Sequence, residues 1–79
     1  MKHAREDYNR IQDPANKIGK DEPVFLIRAK DACMIPTMNR WITVANNIGV
    51  DEKMVKMVED FQEEVKKWQD ENGCTVPDL

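Results

Sequence analysis

Cationic, aromatic and amide side chains in the N-terminal part of the chain are the residues best suited to binding chemistry. Guanidinium groups bind a phosphate or carboxylate through paired hydrogen bonds, a tyrosine ring stacks on a planar group, and an amide pairs with the edge of a base. In an extended segment Arg28 and Lys30 point to the same face, because side chains alternate with a period of two. We therefore expect an anion-binding site made of Arg5, Tyr8, Asn9, Arg10, Arg28 and Lys30.

A structural role is the alternative for these cations. Acidic residues lie near them in the sequence at Glu6, Asp7, Asp13, Asp21 and Glu22. Ion pairs with these carboxylates would fix the N-terminal arm onto the subunit, although exposed pairs contribute only about 0–1 kcal/mol each. The sequence leaves both roles open, since an arm held by some pairs can present its other charges to a ligand.

Motifs for catalysis and metal binding are missing from the sequence. There is no nucleophile elbow, no glycine-rich phosphate loop and no HExxH motif, and the single histidine is His3. The two cysteines, Cys33 and Cys74, are far apart and form no CxxC motif, which a clustered zinc site would need. We therefore expect no enzymatic activity, no metal and no cofactor. Free thiols are expected in a reducing compartment, and the sequence does not tell whether the two cysteines ever pair.

The charge distribution is asymmetric along the chain. Residues 1–30 hold seven Lys and Arg against five Asp and Glu, whereas residues 31–79 hold five against ten. Generic nucleic-acid binding needs a dense basic face and is therefore not expected. No apolar run approaches the roughly 18 residues that span a bilayer, and the N-terminus has no apolar signal-peptide core. We expect a cytoplasmic protein without a membrane partner.

Two amphipathic helices are predicted between residues 34 and 73. Pro36 suits the first turn of a helix, Gly49 and Gly73 suit helix ends, and Asp51 suits an N-cap. Apolar residues recur at alternating steps of four and three, which places them on one face of each helix. The two predicted core stripes are Met34, Met38, Trp41, Ala45 and Ile48, then Met54, Val58, Phe61, Val65 and Trp68. The short connection predicts an antiparallel αα-hairpin.

Residues 21–31, DEPVFLIRAKD, predict the one β-strand of the chain. Their centre, residues 24–28, is rich in β-preferring residues and is too short for a helix. The polar segment before it contains the breakers Asp13-Pro14 and Gly19, which predict an arm. We expect a single, mainly α domain, with an arm over 1–20, a strand segment over 21–31, a helical hairpin over 34–73 and a tail over 74–79.

A hairpin of this size leaves apolar surface and a strand edge uncovered. Chains of 79 residues are in the range where one core is only marginally stable, and an unpaired strand edge invites pairing with another chain. We therefore expect a homo-oligomer whose subunits complete each other by strand pairing or by helix packing.

Two N-terminal motifs are similar to those of a known group of proteins. HAREDYNRIQDP and IGKDEPVFLIRAKD, followed by a tryptophan-containing helix, a GVD break and a helix with WQ near its end, resemble a recurrent family of small proteins encoded by phages, prophages and some bacteria. The resemblance covers nearly the whole chain. It implies a small accessory protein of the cytosol, which is the host cytoplasm if a phage encodes it.

The residues and the resemblance together predict a non-enzymatic, oligomeric binding protein. Its expected ligand is a small anionic, nucleotide-like molecule, such as a host immune signal that the protein sequesters. The alternative is an adaptor or inhibitor that binds a host protein through the exposed strand or the Met/Trp helical face. An enzyme that acts on the same ligand is a third option.

Overall fold

In the computed structural model of the chain, residues 13–78 are described together with the backbone of residues 2 and 3. The elements in this part of the chain are β1 (Lys2–His3), β2 (Pro23–Val24), α1 (Met34–Ile48) and α2 (Glu52–Asn72). The two helices pack against each other as a hairpin. The predicted mainly α architecture, with a helical hairpin and a short strand, is confirmed.

Local sequence explains where both helices begin and end. Pro36 lies in the first turn of α1, where its missing N–H has no intrahelical acceptor to lose. Gly49 ends α1 in the left-handed region at φ 81°, a conformation that disfavours residues with a Cβ atom. Asp51 then caps α2, because its side chain accepts a hydrogen bond of 2.8 Å from the Lys53 N–H. Gly73 follows the last turn of α2.

The contact between α1 and α2 buries only small apolar groups. Within residues 13–78, the buried apolar side chains are Ala45, Val55 and Val65, with exposed fractions of 3–4%. Gln62 is buried beside them, and its Nε2 donates a hydrogen bond of 2.6 Å to Asn39 Oδ1 across the hairpin. That bond satisfies a polar group that burial would otherwise penalise. The hairpin therefore has a thin core with a polar contact inside it.

The predicted core stripe of α2 is wrong for three of its five residues. Phe61 and Trp68 are 52% and 40% exposed, and Met54 is exposed as well. The residues that α2 turns inward are Val55, Val58, Gln62, Val65 and Gln69. Both series have three-and-four spacing, so periodicity alone does not separate them. The two glutamines concealed the inward series, since an amide side chain is usually solvent-facing.

The stripe predicted for α1 is also only partly buried. Ala45 is buried and Met34 and Met38 are half-buried, whereas Trp41 and Ile48 are exposed. Trp41 and Ile48 therefore lie outside the buried part of the contact with α2, although they are neighbours of Ala45 on the helix surface.

The strand predicted over residues 24–28 is shorter than expected and has a partner. β2 contains two residues, and it pairs in parallel with β1 in the register Lys2↔Pro23 and His3↔Val24. Residues 25–28 belong to no strand. Proline fits at the first position of a strand because it cannot donate to the ladder.

The C-terminal tail pairs with the chain just before α1. The Thr75 N–H donates to the Lys30 carbonyl and the Ala32 N–H donates to the Thr75 carbonyl, both at 2.9 Å. These two bonds make a parallel bridge between Asp31 and Thr75. The segment around DEPVFLIRAKD is thus held by its own chain at both ends, which weakens the expectation that subunits pair strand to strand.

Candidate anion-binding groove

A groove of about 780 Å³ opens between the segment after β2, the first turn of α1 and the C-terminal tail. Residues 25–31 form one wall, Val76 and Pro77 form the other, and Thr37 of α1 lies between them. Phe25 is 75% exposed, so its ring is accessible to a ligand. Arg28 and Lys30 are also exposed and line the same space.

A tight turn brings Arg28 and Lys30 to this groove. The Asp31 N–H donates to the Arg28 carbonyl at 2.9 Å, and residues 29 and 30 form the turn. Gln69 Nε2 donates to the Ala29 carbonyl at 2.8 Å, which fixes the turn to α2. The two cations therefore share a site because of a turn, and the extended segment expected from the sequence is not what places them there.

Neither groove cation has a carboxylate partner within residues 13–78. The ion pairs in this part of the chain join Lys56 to Asp60 and Lys66 to Glu63, both on α2. Unpaired cations in a concave site are free to bind an anionic ligand. The structural alternative, in which Arg28 and Lys30 only fix the chain, has no support among the described residues.

Two of the acidic residues expected to pair with these cations, Asp13 and Glu22, have other hydrogen bonds. Asp13 accepts from the Lys17 N–H at 3.1 Å and from the Ile18 N–H at 2.9 Å. Glu22 Oε1 accepts from the Gly19 N–H at 3.4 Å. These carboxylates therefore stabilise the loop before β2 and leave the groove cations available.

Two carboxylates, Asp31 and Asp78, also line the groove, and each has an interaction with another group of the protein. Asp31 Oδ1 accepts a hydrogen bond of 2.7 Å from the Cys33 N–H, and Asp78 has an interaction of its own. The hydrogen bond between the Cys33 thiol and Asp31, together with the negative charge of Asp31, raises the pKa of that thiol. Since the thiolate is the nucleophilic form, this site does not activate Cys33.

Of the six predicted site residues, the structure brings Arg28 and Lys30 together. Arg5, Tyr8, Asn9 and Arg10 lie outside the described residues. The sequence did not identify Phe25 or the tail residues Val76 and Pro77 as part of a site. A signal was present in the β-preferring pair Thr75-Val76, which suggests that the tail pairs with another segment.

A second surface lies on the hairpin and is called here the apolar face. It consists of large apolar side chains with exposed fractions of 36–74%: Trp41, Val44, Ile48, Met54, Met57, Phe61 and Trp68. An exposed apolar surface of this extent is typical of an interaction site.

Helix geometry places both halves of the apolar face on one side of the hairpin. At 3.6 residues per turn, or about 100° per residue, Trp41 is about 160° from Asn39 around α1, and Phe61 is about 100° from the buried Gln62 around α2. Asn39 and Gln62 are hydrogen-bonded to each other, so their two flanks face the same side. The two apolar flanks therefore face the other side together.

Metal and membrane sites were sought in the same part of the chain. Residues 13–78 contain no group of three or more His, Cys, Asp or Glu side chains that could hold a metal ion. None of the helices described is long and apolar enough to cross a membrane.

Comparison of the chain with protein-family models, curated proteins and solved structures gave no match.

Proposed function

We propose that this chain is a non-enzymatic binding protein that holds a small anionic, nucleotide-like ligand in the groove. The observation that most supports this function is a pair of cations, Arg28 and Lys30, that have no carboxylate partner within residues 13–78 and lie beside the exposed ring of Phe25. A nucleotide combines the two complementary groups, because it has a phosphate for the cations and a planar base for the ring.

The groove has a suitable size and chemistry for such a ligand. Its volume of about 780 Å³ is within the roughly 300–1,000 Å³ of small-molecule sites. Arg28 would bind a phosphate through two hydrogen bonds, whereas Lys30 would act as a point charge. Phe25, on the same wall, would stack on the base, as aromatic side chains do in single-strand nucleic-acid sites.

These three contacts predict a modest affinity. Each charged hydrogen bond contributes about 1.5–3 kcal/mol, and stacking of one base contributes about 1–3 kcal/mol. Losses of translational and side-chain freedom reduce that gain, so we expect a dissociation constant between roughly micromolar and millimolar. Tighter sequestration of a host signal would need additional contacts, for which Arg5, Tyr8, Asn9 and Arg10 of the arm remain candidates.

The proposed setting is the cytoplasm of a bacterial host, with the protein as an accessory product of a phage or prophage. The resemblance of the two N-terminal motifs supports this setting. Sequestration of a host signal would then require binding alone, without any reaction of the ligand.

Titration calorimetry with the full chain tests the ligand proposal. The probes are nucleotides with one, two or three phosphates, cyclic dinucleotides, a nucleoside without phosphate, and inorganic phosphate. We expect binding of at least one nucleotide, weaker binding of phosphate alone and none of the nucleoside. Affinity should fall with added salt, because exposed charges are screened. Absence of binding by every nucleotide up to millimolar concentration would contradict the proposal.

Two matched variants test the residues in the groove. Arg28→Gln removes a bidentate contact and should weaken nucleotide binding by roughly tenfold to a hundredfold. Arg40→Gln removes the same charge from an exposed position of α1 outside the groove and should leave the affinity unchanged. Equal weakening in both variants would indicate a general charge effect. Recovery of intact nucleotide after incubation would distinguish binding from the enzymatic alternative.

A second candidate function is that of an adaptor or inhibitor of a host protein. The exposed apolar face supports it, since such surfaces mark interaction sites. If this function is correct, a host protein captured by the parent chain should no longer bind the Phe61→Lys variant and should still bind the Arg28→Gln variant. The ligand proposal predicts that Phe61→Lys keeps nucleotide binding in the groove.

A further inference from the structure

We infer that the apolar face binds a second copy of this chain, so that two hairpins pack face to face as a four-helix bundle. The apolar face takes residues from both helices on one side of the hairpin. A second copy that presents the same face supplies a layer of two helices with the same shape, as in dimers of helical hairpins.

The area of the apolar face is close to what a dimer interface requires. Aromatic side chains bury roughly 150–250 Å² each when they are covered. If that range is applied to all seven residues at their exposed fractions of 36–74%, they leave on the order of 500–850 Å² accessible. Stable interfaces bury about 800 Å² per partner, and a contact between apolar faces would also cover their polar rim.

The spacing of the exposed residues is that of a second helix-packing stripe. On α1 the positions Trp41, Val44 and Ile48 are separated by three and four residues, as are Met54, Met57 and Phe61 on α2. This is the spacing of helices that pack side by side. Each helix thus has one stripe for the other helix of its hairpin and one for a helix outside it, which is the arrangement of a four-helix bundle.

One pair of charges at the ends of the apolar face fits a second copy of the chain. Lys53 and Glu71 lie on the same flank of α2, five full turns apart at about 3.6 residues per turn. If a twofold axis crosses α2 near Phe61, Lys53 of each subunit lies opposite Glu71 of the other, whereas the carboxylates of Asp60 and Glu64 meet near the axis. The outer charges therefore favour an antiparallel second copy, and the apolar area must outweigh the like charges near the centre.

Lys53 and Glu71 each have the unfavourable sign for the helix dipole at their end of α2. Their charges therefore do not stabilise the isolated helix. Lys53 is close to the N-terminus of α2 and Glu71 is close to its C-terminus, where the opposite signs are preferred. Contact with the opposite charge of a second copy would compensate for this.

Sedimentation equilibrium of the full chain over a wide concentration range tests the inference. We expect a reversible species of twice 9.2 kDa. Phe61→Lys should weaken association by at least about tenfold, because it places a charge in the centre of the interface. The control Asp70→Asn also raises the net charge by one and changes an exposed residue on the opposite side of α2. It should dissociate like the parent protein.

Tryptophan fluorescence gives an independent measurement. Both tryptophans of the chain, Trp41 and Trp68, belong to the apolar face, so their emission should shift to shorter wavelength as concentration rises. Phe61→Lys should abolish that shift while circular dichroism remains helical. A monomer at every concentration would overturn the inference. Unchanged association of a folded Phe61→Lys protein would overturn it too.

Discussion

The two apolar sides of α2 differ in a way that is unusual for a helical hairpin. Toward α1 the helix turns Val55, Val65 and the buried amide of Gln62. On the apolar face it carries Phe61 and Trp68, which are larger and more hydrophobic. The side that contains the greater apolar area is therefore the side that the subunit leaves uncovered.

The two sides of α2 therefore have different roles. The inward side determines how the two helices align, and the apolar face contains most of the apolar area that a partner could bury. The inward side of α2 has the small apolar residues Val55 and Val65, and the Asn39–Gln62 hydrogen bond of 2.6 Å favours one alignment of the two helices. The apolar face has the side chains whose burial would contribute most to stability, at about 25 cal/mol per Å² of apolar surface. Substitutions at Val65, Gln62 and Lys53, each with a matched variant, follow from the largest expected effect to the smallest.

Val65→Asp should have the largest effect, because it puts a carboxylate at a position that is 3% exposed. An unpaired buried charge costs several kcal/mol, which is comparable with the whole stability of a small domain. We expect loss of the helical circular dichroism signal at room temperature.

The matched variant is Phe61→Asp, on the neighbouring apolar face. It should keep its helical signal in dilute solution, because Phe61 is already 52% exposed in one subunit. If Phe61→Asp unfolds as completely as Val65→Asp at every concentration, the two sides of α2 do not differ in the way described.

Gln62→Ala should have an intermediate effect. It removes the amide that bonds to Asn39 Oδ1 and leaves a small cavity, and together these should cost about 1–3 kcal/mol of unfolding free energy. Gln62→Leu is the matched control, since it keeps the volume and loses only the hydrogen bond. Asn39 is exposed and can bond to water, so Gln62→Leu should be closer to the parent in urea denaturation. An equal loss in Gln62→Leu and Gln62→Ala would show that the hydrogen bond, which both variants lack, matters more than packing, which only Gln62→Ala loses.

The hairpin could be predicted from the sequence because its signals are local. Gly49 and Asp51 mark the ends of adjacent helices, and three-and-four spacing identifies both as amphipathic. The side that faces inward could not be predicted, because Phe61 and Gln62 are neighbours in the sequence and size favours the wrong one. Hydrophobicity identifies a surface that avoids water, but it does not tell whether the covering partner is in the same chain.

The candidate groove was predictable only in part, for a related reason. Arg28 and Lys30 are close in sequence, and their residue types alone suggested anion binding. The opposite wall comes from Val76 and Pro77, which reach the site through the bridge between Asp31 and Thr75. A single bridge between distant segments leaves no periodic pattern. The pairing of β1 with β2 is hidden in the same way, because two-residue strands are too short to show alternation.

The smallest expected effect comes from the charges beside the apolar face. Lys53→Glu would place two acidic groups opposite each other in the twofold dimer, the new carboxylate of one subunit and Glu71 of the other, and should weaken association several-fold. Exposed pairs contribute only about 0–1 kcal/mol, so the change should be clearest at low salt. The single substitution should not destabilise α2 itself, because a negative charge near the helix N-terminus is favourable.

The double variant Lys53→Glu with Glu71→Lys separates a paired contact from a general charge effect. It restores opposite charges across the twofold axis and has the same net charge as the parent, so association should return to the parent value in sedimentation at low salt. Both new charges also agree with the helix dipole, and thermal stability of the monomer should therefore rise slightly. If the double variant associates as weakly as Lys53→Glu, the two residues do not meet across the dimer. The apolar faces could then still be in contact, but α2 would not lie antiparallel to α2 of the second subunit.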